Sequence, residues 1–197
     1  MRSHAPGVAR FTDAVPPPPP ARWAIIASWD RCSHLSPSRR PAYQRVSEEE
    51  LAARLSRRDA LVSAARPHLE ALLRSLPGSS NVAYVTDEEG VLLASSGDAG
   101  HLQRFCLLPG YDRSERCLGT NGAGTCLVAA RPMVVAGAEH LISAFKECTC
   151  TAAPIRGIDG AIVGALDVSS SVEDARAHRI AQVTEAALEI EGTLRRA

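Results

Sequence analysis

Three groups of residues have types and spacings that could carry chemistry. The first is Gly119-Thr-Asn-Gly-Ala-Gly-Thr125, three glycines among two threonines and an asparagine, followed by the apolar run Cys126–Ala130. Glycine serves where the backbone takes positive φ or where something approaches it closely. Threonine and asparagine bond to nearby backbone and start helices. The segment therefore reads as a sharp turn launching a helix, capped by Thr120 or Asn121, with its hydroxyls and N–H groups facing either the backbone or a ligand. It lacks the lysine of a nucleotide loop, and no G-x-x-x-x-G-K-[ST] occurs in the chain. The second group is the cysteines, six in all: Cys32, Cys106, Cys117, Cys126, Cys148 and Cys150. Side chains two apart in a strand share a face, so Cys148 and Cys150 point the same way, into a core or into a pocket. A disulfide between them would be strained, which favours buried thiols. The third is Glu139-His140, where His140 either pins a loop or touches a ligand. One histidine is a weak basis for haem, and no Cys/His spacing matches a zinc site. No cofactor, metal or catalytic constellation is expected.

The elements that must position these residues follow from periodicity. Residues 1–22 carry the run Pro16–Pro20 and read as an extended, disordered tail. A short helix is predicted from Trp23 to Cys32. Ser47-Glu-Glu-Glu50 is a capping box, and Leu51, Leu55, Leu61, Val62 and Ala65 follow at helical spacing. Pro67 interrupts before Leu69, Leu72, Leu73 and Leu76, giving one kinked helix or two abutting ones. The period then changes. Strands are predicted at Asn81–Thr86, Val91–Ser95, Met133–Ala136, Cys148–Arg156 and Ala161–Val168, with Gly157-Ile-Asp-Gly160 as a hairpin turn. Ser169–Ser171 is expected to cap a last helix, with Glu173 and Asp174 in its first turn and Ile180, Val183, Ala187, Ile190 and Leu194 on one face.

This order fits an α+β domain. A central antiparallel sheet carries the N- and C-terminal helices on one face. The long connections 97–131 and 137–146 cover a pocket on the other. The organisation is a tail (1–22), a helical segment (23–78), a core (79–169) and a terminal helix (170–197). Among the aromatics, Tyr111 and Phe145 lie in connections, which tilts them toward the pocket, and Phe105 is a further pocket residue. For Tyr84, core packing is equally consistent.

Bulk composition narrows the function classes. Lys+Arg and Asp+Glu are equal at 22 each, so there is no electrostatic grip on nucleic acid or an anionic membrane. An apolar fraction of 45% supports a real core. No apolar run approaches the ~20 residues of a membrane span, and no secretory leader is present, so a cytoplasmic protein is expected.

Several segments together resemble a known family. They are Ser28-Trp-Asp-Arg-Cys32, Val85-Thr-Asp87 with Gly90, Ser114-Glu115 before Gly119–Thr125, Arg131-Pro132, Glu139-His140, Cys150-Thr-Ala-Ala-Pro-Ile155 and Gly164-Ala-Leu-Asp-Val-Ser169. Their order and spacing are similar to those of the GAF sensor domain of sigma-54-dependent activators of the acetoin/glycerol-catabolism type, from about Trp23 onward. The resemblance implies a GAF fold that senses a small effector (aromatic, ketone or diol) and relays its state through the C-terminal helix to an AAA+ ATPase and DNA-binding module, in cis or in trans. A homodimer is expected. One departure is Tyr111-Asp112-Arg113, where the family often has a tryptophan before Ser-Glu. The expected effector contacts are Phe105, Leu107, Tyr111, Thr120, Asn121, Thr125, His140, Phe145 and Cys150. Two rival readings are a free methionine-sulfoxide reductase using pocket cysteines and a ligand-free dimerisation module.

Overall fold

A computed structural model describes residues 20–76, 78, 80–174 and 178–196. Of the tail expected over residues 1–22, residues 1–19 lie outside them, while Pro20–Arg22 form the start of a helix. Helix α1 spans Pro20–Arg31, α2 Glu48–Arg57 and α3 Asp59–Ser75. The hairpin β1 (Val82–Asp87) and β2 (Leu92–Gly97) follows, then short helices α4 (Ala99–Arg104) and α5 (Glu115–Leu118), and α6 (Gly122–Ala129). Strand β3 (Met133–Ala136), two 3-10 turns, β4 (Cys148–Arg156), β5 (Ile162–Ser171), a further 3-10 turn and α7 (Arg179–Leu194) complete it. The strands form one antiparallel sheet in the order β2-β1-β5-β4-β3.

Ser47 caps α2 as its sequence predicts, with its Oγ accepting from the Glu50 amide at 3.1 Å, but the expected box is only half formed, since the Glu50 carboxylate accepts from Arg54 instead of returning to Ser47. The break between the two helices falls at Arg58, however, and not at Pro67. Helix α3 continues through Pro67. The missing proline N–H would have bonded the carbonyl of Ser63. Both residues lie on the exposed side of α3, so water can serve that carbonyl while Leu61, Ala65, Leu69 and Leu72 stay buried.

A second correction concerns Ser169–Ser171. These serines belong to β5 and not to a helix cap, and α7 begins only at Arg179. Glu173 therefore sits in a 3-10 turn and not in the first turn of α7.

The sheet's two faces are read from its register. Ala83, Val85, Leu93, Ala153, Ile155, Leu166 and Val168 face one way and pack under α3 and α7 with Val62, Leu69, Val183 and Ile190. The opposite face carries two cross-strand rows. One is Val82, Ser169, Cys150 and Val135; the other is Tyr84, Asp167, Ala152 and Met133. Helix α6 packs on β4 and β5 over this face. Helix α1 lies on this side too, with Ile25 among Cys126, Met133, Val135, Ala152 and Ala165. So α2, α3 and α7 take the predicted face, while α1 crosses to the pocket side.

Candidate functional site

The glycine-rich turn is built by its own side chains. Asn121 has extended φ/ψ and its Oδ1 accepts from the Gly124 amide at 3.0 Å, so Asn121 is the cap of α6. Its Nδ2 donates back to the Gly119 carbonyl at 2.8 Å. Gly119 needs its positive φ of 68°, and a Cβ there would stand 2.8 Å from Leu141. Gly122 answers to space instead. A Cβ at Gly122 would lie 2.1 Å from Asp167 Oδ2 and 2.5 Å from Cys150 Cβ, so only glycine lets α6 sit this close to the sheet.

Thr120 and Thr125 point away from the sheet into a buried polar knot. Ser28 of α1 donates to Glu115 Oε1 at 2.6 Å and hydrogen-bonds with Thr120 Oγ1 at 2.7 Å and Thr125 Oγ1 at 3.3 Å. Arg31 grips the same carboxylate through two bonds of 2.9 Å. Bidentate arginine–carboxylate pairs are the strong ones. The knot ties α1 to the turn that launches α6.

Beside Asn121 lies a small cavity of about 10 Å³, room for roughly one water molecule. Tyr84, Phe105, Arg113, Asn121, His140, Phe145, Cys148, Cys150 and Ser169 line it. Of the nine effector contacts expected from sequence, this brings together Phe105, Asn121, His140, Phe145 and Cys150. The other four lie elsewhere. Leu107 is a core residue among Val82, Leu92 and Leu118. Tyr111 stacks edge-on against Tyr43, with centroids 6.4 Å apart. Thr120 and Thr125 belong to the knot.

Several buried polar groups around this cavity are unsatisfied. His140 is 2% exposed; its Nδ1 lies 3.2 Å from the Gly137 carbonyl, and its Nε2 has no partner. Since a carbonyl only accepts, Nδ1 carries the proton and Nε2 presents a lone pair. Burial pushes the imidazole down to about 4, against the weaker upward pull of the Gly137 carbonyl, so it stays neutral near pH 7. Arg113 is 5% exposed; its Nη1 donates to the Phe105 carbonyl at 3.0 Å, while its Nε has no partner. Asp167 lies just behind the cavity, fully buried under Gly122, and neither of its oxygens accepts a hydrogen bond of good geometry. Burial pushes its carboxyl up to about 7, and the opposing pull of Arg113, Tyr84 and Arg179 does not offset that.

Cys126, Cys148 and Cys150 are poor nucleophiles in this setting. Burial pushes Cys148 up to about 12 and raises Cys150 and Cys126 as well. Thiolates are the reactive form, so these thiols are held inert.

Arg113, Asp167 and Tyr84 were not among the contacts expected from sequence. Asp167 had a signal: it is a carboxylate inside the apolar strand run Gly164-Ala-Leu-Asp-Val168. Arg113 had one too, as the departure from the family pattern before Ser114-Glu115.

The chain matches the family described as "MimR, N-terminal domain" over residues 12–191. It belongs to that family. Its relatives include a signal-transduction and transcriptional-control protein of Clostridium beijerinckii, 32% identical over 76% of this chain and 24% of that protein. The acetoin dehydrogenase operon transcriptional activator AcoR of Bacillus subtilis is 30% identical over 83% of this chain and 28% of the activator. Among solved structures, the chain is similar to one from the E. coli DhaR(N)–DhaL complex, with a TM-score of 0.82 at 19% identity, covering 87% of this chain and 60% of that one. The last match shows a shared fold, the GAF-like α+β architecture. The MimR-family chain thus spans about a quarter of the length of these curated relatives.

Proposed function

We propose that this domain is the effector-sensing regulatory module of a bacterial transcriptional activator, and that its effector binds in the cavity beside Asn121. One observation carries the reading: buried polar atoms of His140 and Arg113 border a small cavity and have no hydrogen-bond partner there. Unsatisfied buried groups cost stability, and they persist where a ligand completes them. The relatives' names as transcriptional activators support the regulatory half.

The inert thiols argue against the reductase alternative, so we assign the domain no catalytic role. No described helix is long and apolar enough to cross a membrane. A cytoplasmic location is part of this reading, supported by the relatives' names as operon transcriptional activators. Output runs through α7, whose first residue Arg179 is buried and bonded to Ser170, next to the cavity residue Ser169. The outer face of α3 and α7, where Leu188 is exposed, is the surface we assign to a homodimer. The ATPase and DNA-binding partners lie in the rest of the activator or on a separate chain.

The test is a thermal-shift titration of the full chain with hydroxyacetone, 2,3-butanediol, phenol and lactate. A ligand at a hundred times its Kd adds about 2.7 kcal/mol of stability. A dose-dependent rise in Tm with one of these, lost in His140→Phe, is the expected result. No rise with any of the four contradicts the reading.

A further inference from the structure

The polar atoms bordering the cavity specify more than a generic effector. Arg113 is a cation with almost no solvent contact, and it forms no ion pair with a carboxylate among the described residues. Neighbouring arginines do pair: Arg31 with Glu115, Arg54 with Asp87 and Arg116 with Asp112. The buried carboxylate that acts on it, Asp167, is held toward its neutral form by burial, so the guanidinium is incompletely compensated, and the group that best relieves it is an anion. His140 makes the complementary demand. Its Nε2 is a lone pair in a neutral ring, so it needs a hydrogen-bond donor and would repel a bare carboxylate oxygen. One site therefore asks for an anionic acceptor at Arg113 and a hydroxyl donor at His140. The aromatic walls, Phe105 and Phe145 with ring centroids 6.2 Å apart, suit a small carbon skeleton. A cavity with room for one water, which must widen to admit any ligand, favours the smallest members of such a class.

We propose that the effector is a small aliphatic hydroxycarboxylate, its carboxylate paired with Arg113 and its hydroxyl donated to His140. The proposal rests on the cavity being the effector site. It differs from a neutral ketone or diol, which would add no negative charge beside the guanidinium.

A proton-linked signature follows from Asp167. The groups facing it are Tyr84 from β1, Cys148 and Cys150 from β4, Cys126 from α6, Arg113, and Arg179 from α7. Burial raises the tyrosine and the thiols away from neutrality and brings the Asp167 carboxyl to it, so Asp167 is the group to follow near pH 7. An incoming anion disfavours its ionised form, so binding takes up a proton. Affinity must then fall as pH rises through about 7. A single linked proton limits the fall to about tenfold per pH unit.

The experiment is isothermal titration calorimetry of the full chain with lactate, lactamide, propionate and hydroxyacetone at pH 6, 7 and 8. Lactate should bind at least ~10-fold tighter than lactamide, which lacks the charge, and than propionate, which lacks the hydroxyl. Its affinity should drop from pH 6 to pH 8, and Asp167→Asn should flatten that dependence. Arg113→Gln should abolish the preference of lactate over lactamide. If that variant does not fold, the unmodified chain still decides through the four ligands and the pH series. Lactamide or hydroxyacetone binding as tightly as lactate, with no pH dependence, overturns the hydroxycarboxylate and leaves the sensor reading standing. Failure of all four, charged and neutral alike, overturns the hydroxycarboxylate and counts against the sensor reading.

Discussion

Asp167 and His140 sit within one site yet titrate against each other. The carboxyl is raised by burial from its ordinary 3.8 to about 7, and the imidazole is lowered from 6.5 to about 4. For Asp167 the folded state holds a proton that the unfolded chain gives up. Stability is therefore lost as pH rises from about 4 to about 7, then levels off. For His140 the unfolded chain takes up a proton that the folded state refuses. Stability is present above 6.5 and lost as pH falls toward about 4. The two windows overlap and the slopes oppose, so together these groups contribute a nearly flat pH profile. Single variants should separate them. Asp167→Asn should be more stable than the parent by an amount that grows from pH 4 to pH 7, at about 1.4 kcal/mol per unit of displaced pKa as an upper bound. His140→Gln should show the reverse, with a relative gain that grows on acidification. Urea unfolding at half-unit pH steps would read both, and parallel curves for parent and variants would contradict the assignment. At this scale the sequence was partly legible. Asn121 and His140 declare themselves by type and by position in a turn or connection. Arg113 and Asp167 leave only a faint mark, a departure before Ser114-Glu115 and a carboxylate in an apolar strand, because their importance comes from how they are buried, and only assembled neighbours reveal that.

At the scale of elements, α6 is placed by what its first residues lack and α3 by what its surface tolerates. Gly122 faces Asp167 and Cys150 across a gap that no methyl group fits. Gly122→Ala must push α6 off the sheet, at about 1–3 kcal/mol for overpacking. The expected outcome is a lowered urea midpoint with an unchanged m-value, together with a disturbed cavity beside Asn121. Pro67 offers the opposite case. It stands mid-helix at an exposed position, where proline is about 3 kcal/mol worse than alanine. Part of that cost is returned by a stiffer unfolded chain. Pro67→Ala should therefore stabilise by about 2 kcal/mol, or some 4–8 °C in Tm for a chain of this size. A loss of stability would mean that the proline sets a bend the packing needs. The period of 3.6 in Leu61–Leu76 foretold a helix here, and the proline rule misplaced its break. The rule assumes that the orphaned carbonyl is costly, and on a solvated face it is not. The cap at Ser169–Ser171 failed for a related reason. Serines serve helix caps and strands alike, and their pairing with Cys148–Cys150 decides between them.

For the whole molecule, the sheet divides its labour between two faces. One is sealed by α3 and α7 with aliphatic side chains. The other holds buried Tyr84, Asp167, Cys150 and Ser169 beneath α6, roofed further by α1 through the Ser28–Glu115 knot. Strand period and order made this architecture readable from sequence. The position of α1 was not readable, since its amphipathic pattern fits either side and the deciding contacts lie 84 to 97 residues away. The division also sets the route of a signal. On the proposed reading, a ligand beside Asn121 and Ser169 would press on β5, where Ser170 meets Arg179 at the start of α7. The most direct measurement is a nitrogen-15 NMR titration of the full chain with lactate and hydroxyacetone. The account predicts amide shifts at Phe105, Asn121, His140, Cys150 and Ser169, extending to Arg179 and the first turn of α7. Shifts confined to the outer surface of α3 and α7, or none with either ligand, would contradict it.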